Sequence, residues 1–158
     1  KIGFIGVGNL GEKAVKKLSK DYDLFLSDPI EKDELIEVTN GYFSLEETIS
    51  SSDVIFFTIK PNKIGELFPK NDFNLQDKTF ISFMAGLSLD KIHALIGKKT
   101  NLIRGMPTVG IGTGDSTIAI TSNFSISLGS YSTPDFFFRT IQSLPLSGPI
   151  CFRLSTSS

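Results

Sequence analysis

The chain has 158 residues, 40% of them hydrophobic, which is enough for one packed domain with room for a fragment of a second. Its 16 basic and 17 acidic side chains leave no basic stripe for a sequence-independent grip on nucleic acid. No apolar run reaches the ~18 residues that a membrane-spanning helix needs, and the single cysteine, Cys151, excludes an internal disulfide.

The opening Lys1-Ile2-Gly3-Phe4 is too short and too glycine-broken for a secretory signal, and a cytoplasmic location is expected. His93 has no partner histidine and no Cys/His spacing fits zinc, so no metal site is expected.

Strand and helix signals then alternate. Ile2–Ile5 reads as a buried strand. Asn9–Leu18 follows as a helix, with Leu10, Ala14, Val15 and Leu18 on one face and Lys13, Lys16 and Lys17 on the other. Asp23–Ser27 is a second strand, stopped by Asp28-Pro29. A helix over 32–38 and a short strand at 41–43 come next. Ser44 and Glu47 match a capping box opening a short helix to about residue 50. Asp53–Ile59 is apolar on both faces, as a central strand of a parallel sheet should be. Lys60-Pro61-Asn62 ends it. Residues 63–68 form a helix, and 78–84 an apolar strand ending at Ala85-Gly86. Ser88–Ile96 is a capped amphipathic helix, closed by Gly97, and 101–104 and 117–121 are the last strands. The alternation predicts an α/β fold: a doubly wound, mainly parallel Rossmann-type sheet with helices on both faces.

Beyond residue 121 the pattern fails. Residues 122–158 are rich in Ser, Thr, Pro and Phe, and are expected to be irregular. The triplet Phe136–Phe138 admits two readings. It is an apolar patch for self-association into a homo-oligomer, or it covers an open edge or face of the sheet.

The chemistry sits at the strand ends. Gly6-x-Gly8-x-x-Gly11 follows a strand and opens a helix within a βαβ unit, the context a dinucleotide-binding motif requires. Gly6 turns the chain sharply. Gly8 has no Cβ, so the backbone can approach a diphosphate. Gly11 lets the helix sit close to the sheet, and the helix amino end offers free N–H groups. The competing reading is a glycine-rich turn that packs a helix on a sheet without a ligand. Asp28 lies 22 positions after Gly6, where a carboxylate accepts from ribose hydroxyls and repels a 2′-phosphate, which leans toward NAD over NADP. It is equally an ordinary strand-ending turn residue. Lys60-Pro61 and Ala85-Gly86 end strands facing the same crevice, and by themselves read as loop punctuation.

Four stretches in order, Ile2-Gly-Phe-Ile-Gly-Val-Gly-Asn-Leu-Gly11, Ser52-Asp-Val-Ile-Phe-Phe-Thr-Ile-Lys-Pro61, Ile81-Ser-Phe-Met-Ala-Gly-Leu-Ser-Leu89 and Ile103-Arg-Gly-Met-Pro-Thr108, together resemble pyrroline-5-carboxylate reductase. The resemblance covers about residues 1–121, which it marks as an NAD(P)-binding Rossmann domain. It implies hydride transfer from NAD(P)H to the C=N carbon of 1-pyrroline-5-carboxylate, a small imine, giving L-proline in proline biosynthesis. It implies cofactor contacts from Gly6, Val7, Gly8, Asn9, Leu10 and Gly11 to the pyrophosphate, and from Ser27 and Asp28 to the adenosine ribose. Thr58, Ile59, Lys60, Pro61, Ala85, Gly86, Met106 and Pro107 would frame the nicotinamide. No residue stands out as the proton donor.

The chain departs from the family at Thr108-Val109-Gly110, where Met-Pro usually continues as Asn-Thr-Pro. A C-terminal helical dimerisation domain is also expected in the family, and 158 residues leave no room for it. Leu146-Ser-Gly-Pro149 is similar to the stretch that begins that domain, so 122–158 would be its stub. The alternatives are a non-catalytic or truncated NAD(P)-binding module, or another reductase of the wider hydroxyacid, imine and deazaflavin-linked group.

Overall fold

The computed structural model describes residues 1–68, 73–96, 100–107, 117–122 and 150–153. The strands are β1 (Ile2–Ile5), β2 (Leu24–Ser27), β3 (Val54–Phe57), β4 (Thr79–Ser82), β5 (Asn101–Pro107), β6 (Thr117–Ser122) and β7 (Ile150–Arg153). The helices are α1 (Asn9–Leu18), α2 (Asp33–Ile36), α3 (Leu45–Ser51), α4 (Ile64–Leu67) and α5 (Leu89–Ile96), with a single 3-10 turn at Pro61–Lys63.

All seven strands join one sheet in the order β2-β1-β3-β4-β5-β6-β7. The first five pair in parallel; β6 and β7 are added antiparallel. The expected mainly parallel, doubly wound sheet is therefore present. Ile150–Arg153 forms a strand inside the segment expected to be irregular, while Phe136–Phe138 and Leu146–Pro149 lie outside the described residues, as do Thr108–Gly110. The expected strand at 41–43 reduces to one bridge between Leu26 and Tyr42.

Across β1, β3 and β4 the sheet is buried on both faces, because these strands alternate between two helix layers. Phe4, Leu24, Leu26 and Phe56 pack with Val15 and Leu18 of α1 and Leu35 of α2. Ile5, Ile55, Phe57 and Phe80 turn the other way, onto Ile49 of α3, Ile64 of α4 and Ile92 and Ile96 of α5. The chain has 14 Phe and no Trp, and Phe4, Phe56, Phe57 and Phe80 are the largest fully buried side chains of this core. Phe4 stacks on Phe56 with centroids 5.0 Å apart, and Phe57 on Phe80 at 5.2 Å, with Phe68 edge-on to Phe57 at 5.5 Å. Such offset and edge contacts add to the area term.

Helix α3 begins with the expected capping box: Glu47 N–H donates to Ser44 Oγ at 3.2 Å, and Ser44 N–H to Glu47 Oε2 at 3.1 Å. The helix lies close over β1 at Gly3, where a Cβ would come within 2.7 Å of Ser52 Oγ and 3.1 Å of Thr48 Cγ2. Among the described residues no helix is long and apolar enough to cross a membrane.

Candidate active site

Register brings the candidate residues to one edge. Ile5 pairs with Ser27 on one side and Phe57 on the other; Phe57 pairs with Ser82, and Ser82 with Arg104. The residues after Ile5, Ser27, Phe57 and Ser82 therefore emerge together at the carboxyl ends of their strands, while β5 runs on to Pro107. The chain moves from β1 to β2 on one side and later from β1's other neighbour β3 outward, so the switch point lies between β1 and β3. Ligands of open α/β sheets bind in the crevice outside such a point.

The three glycines do different work there. Gly6 has φ +88, and an added Cβ would collide with Ile59, its backbone nitrogen lying 2.9 Å away. Only glycine is compatible with that turn. At Gly11 a Cβ would lie 2.7 Å from both Gly6 O and Thr58 Oγ1, so the missing side chain sets how closely α1 approaches the turn. Gly8 is unlike either. Its φ of −72 and ψ of −166 suit any residue, and nothing lies within 4 Å of where its Cβ would be. The fold makes no demand for glycine at position 8, and the space beside it is open.

Gly8 is the N-cap of α1 and has no side chain to cap it. The first intrahelical bond runs from Glu12 N–H to Gly8 O at 2.8 Å, which leaves the amides of Asn9, Leu10 and Gly11 as the helix's unsatisfied first donors. Gly8 and Asn9 are exposed. Donors, a positive dipole end and space for backbone approach together suit a diphosphate. The residues present therefore fit a dinucleotide.

Glu12 would oppose an anion from the first turn, but two ammonium groups neutralise it. Lys32 Nζ reaches Glu12 Oε2 at 2.6 Å and Lys16 Nζ reaches Oε1 at 2.7 Å. These bonds, Lys16 first and Lys32 next, pull the Glu12 carboxyl down to about 2.

Ser27 and Asp28 follow the same edge. Ser27 O accepts from Gly6 N–H at 2.9 Å. Asp28, half-buried, accepts from Val7 N–H through Oδ2 at 2.6 Å and from Ile30 N–H through Oδ1 at 2.9 Å. Thr58 donates its hydroxyl to Gly6 O. Both side chains therefore touch the glycine turn itself, which sequence reasoning missed. The family resemblance implies the ribose for Asp28 and the nicotinamide for Thr58; a contact across neighbouring strands has no signature in linear spacing. Ile59 packs on Gly6, as the blocked Cβ shows. Lys60 is exposed, and Pro61 takes the first position of the 3-10 turn, which suits its missing N–H. Ala85 and Gly86 are exposed after β4, Gly86 with φ +76. Met106 and Pro107 do not leave the sheet as a loop; they extend β5, in register with Ala119 and Ile118 of β6. His93 lies inside α5, with Nε2 buried and without a partner among the described residues.

Comparison with known proteins agrees with this geometry. The family model described as NADP oxidoreductase, coenzyme F420-dependent, matches residues 1–86. The pyrroline-5-carboxylate reductase of Aquifex aeolicus is 28% identical over 136 residues, 80% of this chain and 49% of that protein. Pyrroline-5-carboxylate reductase 2 of Bacillus subtilis is 26% identical, across 68% of this chain and 42% of its own length. The chain thus spans about half the length of the curated relatives it matches. Among solved structures, the Streptococcus pyogenes 1-pyrroline-5-carboxylate reductase superposes with a TM-score of 0.67 at 24% identity, covering 94% of this chain and 57% of that one. The Plasmodium falciparum pyrroline carboxylate reductase, solved with NADP bound, gives 0.64 at 23%, covering 80% and 49%. The resemblance read from the four motifs is borne out.

Proposed function

The chain belongs to the family of coenzyme F420-dependent NADP oxidoreductases, and from that premise we propose that it is the nucleotide-binding part of a pyrroline-5-carboxylate reductase. Bound there, NAD(P)H would supply the hydride for the C=N carbon of N-protonated 1-pyrroline-5-carboxylate, giving L-proline and NAD(P)⁺. The chain's own part is positioning and charge. The amides at the start of α1 hold the diphosphate, with Gly6, Val7, Gly8, Asn9, Leu10 and Gly11 forming the cradle. Ser27 and Asp28 face the adenosine ribose. Thr58–Pro61, Ala85-Gly86 and Met106-Pro107 border the nicotinamide. The observation that carries this reading is Gly8, a glycine whose backbone angles and surroundings require no glycine.

Within the pyridine nucleotides we assign the preference to NADH. Each Asp28 oxygen accepts one amide and keeps a lone pair for a ribose hydroxyl, while its charge opposes a 2′-phosphate. Residues 1–121 form the nucleotide-binding domain of this proposal, and Phe136–Phe138 would serve in self-association. A cytoplasmic location belongs to the same reading, supported by the single cysteine.

Titration with NADH and NADPH, followed by nucleotide oxidation in the presence of 1-pyrroline-5-carboxylate, tests it. Binding of both, tighter for NADH, with oxidation dependent on the imine, is the expected result. Tighter NADPH overturns the Asp28 assignment. Binding without turnover marks this chain as a nucleotide-binding module. Absence of binding refutes the proposal.

A further inference from the structure

The peptide joining Gly6 to Val7 is gripped at both of its polar atoms by side chains from the two strands that flank β1. Its N–H donates to Asp28 Oδ2 at 2.6 Å, and its carbonyl accepts from Thr58 Oγ1. Asp28 directly follows β2 and Thr58 directly follows β3, so the grips come from opposite sides. Each is itself braced. Asp28 Oδ1 accepts from Ile30 N–H at 2.9 Å, and Thr58 N–H donates to Ile5 O at 3.0 Å. A peptide beside a glycine at φ +88 has little local steric reason to keep one plane. Rotating it would swing Gly8 and the first amides of α1 off their common aim.

We propose that Asp28 and Thr58 are paired positioning residues, which hold the diphosphate cradle preformed by fixing the Gly6–Val7 peptide. The proposal rests on the dinucleotide reading above and adds a role for Asp28 separate from its contact with the ribose. Ribose recognition changes NADH and NADPH affinities in opposite directions. A clamp on the diphosphate loop changes them together.

The test is nucleotide titration of the full chain and of Thr58→Val, Thr58→Ser, Asp28→Asn and the Asp28→Asn/Thr58→Val double variant, with thermal midpoints measured alongside. Thr58→Val should weaken NADH and NADPH by a common factor, about five- to tenfold for one lost hydrogen bond. Thr58→Ser, which keeps the hydroxyl, should restore binding. The double variant should lose less than the product of the single losses, because a peptide released on one side is no longer fixed by the other. Where Thr58→Val does not fold, hydrogen exchange in the unaltered chain decides: the Val7 amide should exchange far more slowly than those of Gly8 and Asn9. Thr58→Val binding like the parent, equal losses in Thr58→Val and Thr58→Ser, losses that multiply, or an unprotected Val7 amide would each overturn the clamp. A parent chain that binds neither nucleotide refutes the dinucleotide reading and the clamp with it; a parent that binds while its variants are unaffected refutes the clamp alone.

Discussion

Position 8 differs from the other two glycines of the turn, because the fold does not require a glycine there. Gly6 and Gly11 answer to the chain itself, through a positive φ at one and 2.7 Å approaches to Gly6 O and Thr58 Oγ1 at the other. Gly8 answers to neither. Serine is a strong N-cap residue, worth about 1 kcal/mol over an uncapped start and a few tenths over glycine. Gly8→Ser should therefore leave the thermal midpoint unchanged or slightly higher, while its side chain enters the open space and weakens nucleotide binding by at least about tenfold. Gly6→Ala should do the reverse, lowering the midpoint by several degrees before any ligand is added. Thermal melts and titrations of the two variants check this, and a destabilised Gly8→Ser chain with unaltered affinity would assign that glycine to the fold. Spacing pointed to the sharp turn at Gly6 and the close approach at Gly11. It could not show that Asp28 and Thr58 reach the same peptide, since that depends on which way two side chains lean after strands that are far apart in sequence.

At the scale of elements, Glu12 ties α1 to the loop after β2 through Lys32 and to α2 through Lys16, whose ammonium also meets Glu34 at 2.9 Å. The hydrogen bonds from Lys16 and Lys32 hold the Glu12 carboxyl near 2, against 4.5 ordinarily. A carboxyl depressed by folding adds stability above its unfolded value and loses it as pH falls toward the folded one. The pairs are partly exposed, so the contribution is held to about 1 kcal/mol or less. Glu12→Gln should be less stable than the parent at pH 7, and the gap should shrink below pH 4.5 and close near pH 2. Denaturant melts across that range measure it; a gap independent of pH would mean the carboxylate's charge is not what binds the elements.

The elements themselves were legible wherever apolar pattern and punctuation agreed, as in α1, α3 and the five parallel strands. Asp53–Ile59 reads longer than the ladder of β3 because Thr58 and Ile59 are β-branched and suit a strand, yet they leave the sheet to support the glycine turn. Met106 and Pro107 err the other way. A proline reads as a stop, but β5 carries both residues beside antiparallel β6. Strand β7 was not foreseen, because its pairing with β6 spans a Ser- and Phe-rich stretch without period.

For the whole molecule, the strand order places the switch point at β1 and β3, and the crevice there holds the turn, the amino end of α1 and the loop after β3. Family membership agrees with a pyridine nucleotide as the ligand, the fold is shared with pyrroline-5-carboxylate reductases, and the chain spans about half of its curated relatives. A diphosphate held at the start of α1 bears on a handful of amides, which can be observed one by one. Backbone amide resonances of the isotope-labelled chain should be followed during titration with NADH and NADPH. Saturable shifts centred on Gly8, Asn9, Leu10 and Gly11 are expected. Saturable binding that leaves those four amides unmoved, or no binding at all, would rule out a cradle at the start of α1.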